Sequence, residues 1–347
     1  MKSNIQLIDN TPDDRDRWDD FVDRTAKSSI YHYSKWRNII ENVFGHKTFY
    51  LYSTDDRGNV AGILPLVNLK SVLFGNMLVS MPYFNYGGVC ADNDGTRDLL
   101  INEAIVIAKE IHSNHIEFRQ EASFDNGFPI KTTKVSMLLD LPSSADDLWK
   151  SFPSKLRSQL KKPQKEGLFI RIGGEEELDS FYKVFSTNMR DLGTPVYPKR
   201  FFRQILKNFE GNTWIVTACK ETEPVASGFL IGFKGKMEIP WASSLRRFNR
   251  ISPNMLLYWN CLKFSCEQGY KVFDFGRSSK GEGSYKFKEQ WGANPRQLYW
   301  HYWMREGVEL PEINPSNRKY NIAIHCWKKL PVPVTKFLGP FIVKNIP

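Results

Sequence analysis

No stretch of this sequence is apolar for long enough to cross a bilayer, so no spanning helix is expected. The first residues, 1–23, are acidic and polar and lack the basic and apolar regions of an export signal, which points to a cytoplasmic protein. Cysteine is scarce. The five, Cys90, Cys219, Cys261, Cys266 and Cys326, show no zinc or redox spacing. Cys261 and Cys266 stand five apart on an expected helix and face different ways, so all five read as reduced, mostly core residues. The six histidines are scattered, and His112 and His115 only flank a helix end. No metal site and no permanently bound cofactor are expected. Acidic residues stop at Glu312, and residues 244–254 contain no glycine.

What is present is basic and globular. A chain of 347 residues suggests two domains, and its 41% apolar and 25% charged content is ordinary for a folded protein. The net charge of +10 implies a polyanionic partner. Transfer RNA, a nucleotide- or lipid-linked phosphate and an anionic membrane surface all remain open on composition.

Along the chain, a short strand at 5–8 precedes a helix opened by Thr11 as N-cap and Pro12 at its first position. A second helix at 34–43 ends at Gly45, and a hairpin spans 48–69. Strands at 73–81 and 86–90, an amphipathic helix at 96–113 and strands at 115–119 and 134–141 complete the first half. The second half repeats the order: helices at 146–162, a strand at 169–172, helices at 175–192 and 199–208, and strands at 214–243. A helix opened by Ser252 and Pro253 and a last strand at 298–304 follow. We therefore expect an α/β fold of mixed sheets in two tandem domains, 1–145 and 146–310, with the active cleft in the second and walled by the first. The remainder, 311–347, forms a basic tail broken by prolines. Its lysines are interleaved with aromatic and aliphatic residues. Such a segment either seats on an anionic bilayer at the inner face of the membrane or packs back on the domain.

The densest chemistry lies at 272–292. An apolar strand carries Asp274, a loop with three glycines carries Arg277 and Lys280, and Ser284 is placed to cap a short helix with Lys286 and Lys288. Glycine lets backbone approach an anion closely, and the first N–H groups of a helix lack internal partners. Upstream, Arg246, Arg247 and Arg250 precede the helix that contains Asn254. Arg157 and Lys161, four apart, share a helix face that Pro163 should end or kink.

The pattern F-D-F-G-R-x-x-x-G-x-G-x-Y-x-F-K-x-x-W-G over residues 273–292 resembles the signature of FemAB-like proteins, in the branch associated with exosortase/PEP-CTERM and exopolysaccharide systems. Supporting matches are Tyr31-His32, Phe44-Gly45-His46, residues 83–88, and Gly193-Thr194-Pro195, where Asp191 replaces the usual Asn. Asn314-Pro315, Lys319-Tyr320 and Gly339-Pro340 extend the resemblance into the tail. It implies two GNAT-like acyltransferase domains and transfer of an acyl or aminoacyl group to an amine or hydroxyl. The acceptor would be a phosphate-bearing cell-envelope or polysaccharide precursor. The donor would be aminoacyl-tRNA, since the turn at 244–254 lacks the glycines that wrap a coenzyme A pyrophosphate, or else acyl-CoA.

On this reading Asp274 is the general base or, alternatively, a structural carboxylate that caps its loop or pairs with Arg277. Lys288 stabilises an oxyanion or a substrate phosphate. Arg277, Lys280, Gly281, Gly283, Tyr285 and Trp291 hold the acceptor, with Asn85 and Tyr86 from the first half unless those two are core. Arg246, Arg247, Arg250, Asn254, Arg157 and Lys161 hold the donor. Two other functions fit the same residues: a coenzyme A-dependent N- or O-acetyltransferase on a sugar, and a non-catalytic binder of polyanionic lipid-linked precursors.

Overall fold

The computed structural model describes residues 5–8, 11–71, 75–310 and 318–346. Their elements run β1 (Ile5–Leu7), α1 (Pro12–Arg24), α2 (Lys35–Phe44), β2 (Lys47–Thr54), β3 (Val60–Ser71), β4 (Gly75–Val79), β5 (Cys90–Ala91), α3 (Asp94–Glu110), β6 (His115–Gln120) and β7 (Ile130–Lys131). After β8 (Val135–Asp140) come α4 (Ala145–Ser151), α5 (Ser154–Lys165), β9 (Leu168–Gly173), α6 (Leu178–Leu192), α7 (Lys199–Asn208), β10 (Thr213–Lys220), β11 (Glu223–Phe233) and β12 (Lys236–Ser244). The chain closes with α8 (Pro253–Glu267), β13 (Val272–Ser278), α9 (Gly283–Glu289), β14 (Asn294–Gln297), β15 (Tyr299–Met304), α10 (Arg318–Lys329) and α11 (Val332–Val343). Asn314 and Pro315 of the tail motif lie outside the described residues.

These elements form two units. The first holds the described residues of Met1–Lys134, Gln297–Ile313 and Lys344–Pro347, the second those of Val135–Arg296 and Asn314–Val343. The first sheet has the order β1-β2-β3-β4-β6-β15-β7, with β5 on β3; the second has the order β14-β8-β13-β12-β11-β10-β9. Read from its other end, the second repeats the first. Each has a run of four strands and one parallel joint, β4–β6 or β12–β13. Each joint is made by a crossover helix, α3 or α8, as parallel neighbours require.

Two strands depart from the sequence expectation. Residues 134–141 were expected to complete the first half, yet β8 pairs with β13 in the second sheet. Residues 298–304 were expected in the second half, yet β15 pairs with β6 in the first. Both changes have one cause. β13 and β6 each need an antiparallel partner on the side away from the parallel joint, and local pattern does not say which sheet a strand will join.

Local chemistry sets the element ends. Thr11 Oγ1 accepts the Asp14 N–H, and Pro12 opens α1 as expected. Asn93 caps α3, two residues earlier than the apolar pattern suggested. α5 runs on to Lys165 with Pro163 inside it, so of the expected end or kink the end does not occur at Pro163. Proline removes one hydrogen bond, and only two residues follow it in this last turn. Of the cysteines, four are buried and Cys326 is exposed.

In the second unit, one sheet face packs Met137, Leu139, Phe273, Phe275, Met237 and Ile239 against α4, α5 and α8. The other face of β11 and β12 meets α6 and α7 through an aromatic cluster of Phe181, Phe185, Phe202, Phe229 and Trp241. In the tail, Pro331 separates α10 from α11. No described helix is long and apolar enough to cross a membrane.

Candidate active site

β12 and β13 stay together for only three residues. They pair at Lys236–Val272, Met237–Phe273 and Glu238–Asp274, although β12 continues to Ser244 and β13 to Ser278. Beyond Glu238 and Asp274 the two carboxyl-terminal halves part. Because the strands are parallel, the segments that leave them emerge on the same sheet edge. Such a parting, at the carboxyl ends of parallel strands, is where α/β sheets place ligands.

Asp274 lies at the fork and is fully buried. Its neighbours Phe273 and Phe275 point into the core, which strand alternation requires if Asp274 is to face the other way. Asp274 Oδ1 accepts the Ser136 hydroxyl of β8 and the Gly276 N–H, the latter at 2.8 Å. The register shifts between Asp274 and Arg277, and Gly276 at φ 75° takes up the bulge in a conformation that suits glycine. Beside Asp274 on β12 stands Glu238, also buried. Two carboxylates therefore occupy adjacent positions in neighbouring strands.

Their counter-charge is Lys288 on α9, only 7% exposed. Its Nζ donates to Gly276 O and Arg277 O, each at 2.9 Å, and so ties the short helix to the bulge. Burial pulls the ammonium down to about 8; Asp274 opposes that, Arg277 adds to it and Glu238 opposes it. Two of its three N–H donors face these carbonyls. Lys286, two residues earlier, is exposed, as helix geometry requires.

The remaining expected residues separate into groups. Arg277, Lys280, Gly281 and Gly283 are exposed on the stretch that leads from Asp274 into α9, and Tyr285 is half-buried against the core. The helix starts at Gly283, with Glu282 at the cap position and no side-chain capping bond, so Ser284 is not its cap. Trp291 does not bind acceptor at a surface. It is 1% exposed and packs against Phe152, Tyr258, Phe275 and Phe287. Asn85 and Tyr86 belong to the first unit; Asn85 is half-buried, and the Tyr86 ring is core, stacked near Tyr31.

On the same edge, β12 leads through a 3-10 turn, Arg246–Ile251, into α8. Ser252 sits in the left-handed region and makes no side-chain cap; Pro253 has no N–H and the Met255 N–H donates to Ser252 O, so of the first turn of α8 only the Asn254 N–H is left for an anion. Arg246 Nη2 donates to Asp191 O at 2.9 Å, and Arg247 pairs with Glu223. Arg250 is exposed, and Asn254 is half-buried in the first turn of α8. Arg157 is half-buried and Lys161 exposed on α5, the helix beside α8. The loop after α6 is a left-handed cap at Gly193, seated against Ile324 of α10. It therefore turns beneath the tail.

Sequence reasoning missed Glu238, Ser136 and Ser278, the last a buried hydroxyl without a hydrogen-bond partner on β13. Glu238 carries the signal that exposed Asp274, a lone carboxylate between apolar neighbours, Met237 and Ile239. Ser136 was hidden because its strand had been given to the other half.

Comparison with known proteins is consistent with this geometry. Residues 150–289 match a family profile described as "Acetyltransferase (GNAT) domain". The chain is 21% identical over 314 residues to UDP-N-acetylmuramoylpentapeptide-lysine N(6)-alanyltransferase of Weissella viridescens, covering 80% of this chain and 89% of that one. Its fold resembles the crystal structure of FemX, with a TM-score of 0.64 at 14% identity, over 85% of this chain and 96% of that one. A tandem GNAT protein from the clavulanic acid biosynthesis pathway aligns over 90% of this chain and 100% of its own, with a TM-score of 0.53 at 10% identity. The fold is thus a tandem GNAT-like α/β architecture, and the second unit carries an acyltransferase domain.

Proposed function

We propose that this acyltransferase moves an aminoacyl or acyl group onto an amine or hydroxyl of a cell-envelope precursor, with aminoacyl-tRNA as the favoured donor. The observation that carries the reading is the fork at Glu238 and Asp274, with Lys288 buried beside it. The acceptor amine must be neutral to attack. Asp274, or Glu238 next to it, takes its proton as the nitrogen bonds to the donor carbonyl. The carbonyl oxygen becomes an oxyanion, and the Lys288 ammonium stabilises it. The tetrahedral centre then collapses. The ester oxygen of the tRNA, or the sulfur of coenzyme A, leaves with the electron pair and is protonated.

Arg277 offers a planar fork to a precursor phosphate. The preference for tRNA rests on the turn before α8, which has no glycine and presents arginine side chains instead of a close backbone wrap. In this reading the protein works in the cytoplasm, and the signature at 273–292 extends the acceptor class to exopolysaccharide precursors.

A second reading is coenzyme A-dependent acetylation of a sugar. The Asn254 N–H at the start of α8, close in sequence to Arg250, favours it. One experiment separates the two. Purified protein is incubated with a nucleotide-linked muropeptide precursor and either charged tRNA or acetyl-CoA, and the products are read by mass spectrometry. Aminoacylated precursor with tRNA alone supports the proposal. Acetylated product reverses the ranking, and no product with any acceptor tested favours a binding protein.

A further inference from the structure

α11 is packed with its faces reversed. Val334, Phe337, Leu338, Phe341 and Ile342 recur at the spacing that normally buries one side of a helix. Here that side points outward: all five are exposed, Phe337 at 70% and Phe341 at 60%. The buried line is Thr335, Gly339 and Val343, one small residue per turn. Small residues let α11 lie close against its neighbours. A Cβ on Gly339 would come within 2.8 Å of the Val196 backbone nitrogen. α10 adds exposed Ile322 and Ile324. Among the described residues, seven of the fourteen exposed large apolar side chains thus fall on these two helices. That concentration is a patch, where scattered single residues would need no explanation.

The same segment is basic. Lys328, Lys329 and Lys336 are exposed, and after Glu312 the sequence has no acidic residue. Twelve residues of helix span roughly 18 Å, well short of a hydrocarbon core about 30 Å thick. The helix can lie in a bilayer surface but not cross it. We propose that α11, flanked by α10, seats this protein on an anionic lipid bilayer. Phe337 and Phe341 enter the acyl boundary and Lys328 and Lys329 lie among the headgroups, whereas Lys336 Nζ sits over the Tyr182 ring of α6, 5.2 Å from its centroid, and takes no part.

Charge selects this occupant. A second copy of the chain would bring two sets of lysines together with no acidic residue of the segment between them. The assignment does not depend on which group the enzyme transfers.

The test is flotation of the full chain with vesicles of phosphatidylglycerol and phosphatidylcholine against vesicles of phosphatidylcholine alone. Binding is expected to the anionic vesicles, at least about tenfold weaker to the neutral ones, and to fall as salt rises. Phe337→Ser combined with Phe341→Ser should cut binding by roughly tenfold or more while leaving the melting temperature unchanged, since both rings are exposed. Lys328→Glu with Lys329→Glu should do the same without touching the apolar stripe. The proposal is overturned if wild-type protein ignores anionic vesicles, if it binds both compositions equally, or if both double variants bind as wild type. It is also overturned if sedimentation shows a dimer that the phenylalanine variant dissociates and no vesicle binding occurs.

Discussion

Glu117 and Asp274 hold the same place in two different sheets. Each is the third residue of the strand that returns after the crossover helix, and each stands opposite the last paired residue of its parallel neighbour, Val79 for one and Glu238 for the other. Both are buried, but their surroundings differ. Glu117 Oε1 pairs with Arg119 Nε at 2.6 Å, and its Oε2 accepts the Tyr302 hydroxyl at 2.7 Å. Burial alone would push Glu117 up, yet Arg119 and Tyr302 hold it below the ordinary carboxylate range. Arg119 is closed in turn by Phe84 O and the face of Trp300. The first carboxylate is therefore locked as an ion pair, while the second accepts the Ser136 hydroxyl and the Gly276 N–H and lies beside Lys288.

Substitution should separate the two roles. Asp274→Asn keeps the shape and the Gly276 bond and should lower turnover of the folded protein by about a hundredfold or more. Glu117→Gln should leave turnover of the folded protein near wild type. It strands the Arg119 charge in a buried site, so the cost to stability should be about 3–5 kcal/mol in denaturant titration. Equal effects of both changes on turnover would show that the units do not divide the work this way.

Acid should act on Glu117 in a defined direction. Its folded pKa is depressed, so its contribution to stability is present above the unfolded value of about 4.3 and is lost as pH falls through the folded value. Wild type should lose stability over that window, and Glu117→Gln should show a flatter acid limb. Melting temperatures between neutral pH and strong acid give the comparison.

Lys288 makes opposite demands on activity and stability. As an oxyanion donor it must be charged, so turnover should fall as pH rises through about 8. Its folded pKa lies below the unfolded value of about 10.4, so between the two the unfolded chain holds the proton and the native one does not. Its contribution to stability is present above the unfolded value and lost as pH falls toward 8. Turnover that rises through pH 8 would make Lys288 a base instead. Lys288→Ala and Arg277→Ala should each lower turnover by about ten- to a hundredfold, and exposed Lys286→Ala should change it little.

Donor binding should follow which arginine is already engaged. Arg247 is paired with Glu223, whereas Arg250 is exposed just before α8. In calorimetry with charged tRNA, Arg250→Ala should weaken binding more than Arg247→Ala and reduce the dependence on salt. Micromolar binding of acetyl-CoA that Arg250→Ala abolishes would favour the acetyltransferase.

Removing the chain from Pro331 onward should lower the melting temperature. The inner face of α11 covers α6 and Val196, and in the first unit Lys344 O accepts from Tyr83 Oη at 2.8 Å and lies 2.7 Å from His46 Nε2. A truncated protein that melts like the full chain would show that these contacts contribute nothing.

The sequence by itself determined the local elements, the duplicated order and the strand–glycine loop–helix stretch with Asp274 and Lys288. Those depend on periodicity, caps and glycine, which act over a few residues. Only the tertiary structure decided that β8 and β15 change sheets, because strand partners are chosen by long-range pairing. That choice brings Ser136 to Asp274 across 138 positions of sequence. Packing likewise turned Trp291 and Tyr86 into core and locked Glu117. It also turned the apolar stripe of α11 outward. A helical spacing says which residues share a face, and only the small residues on the opposite side, fitted against α6, say which face the protein keeps for itself.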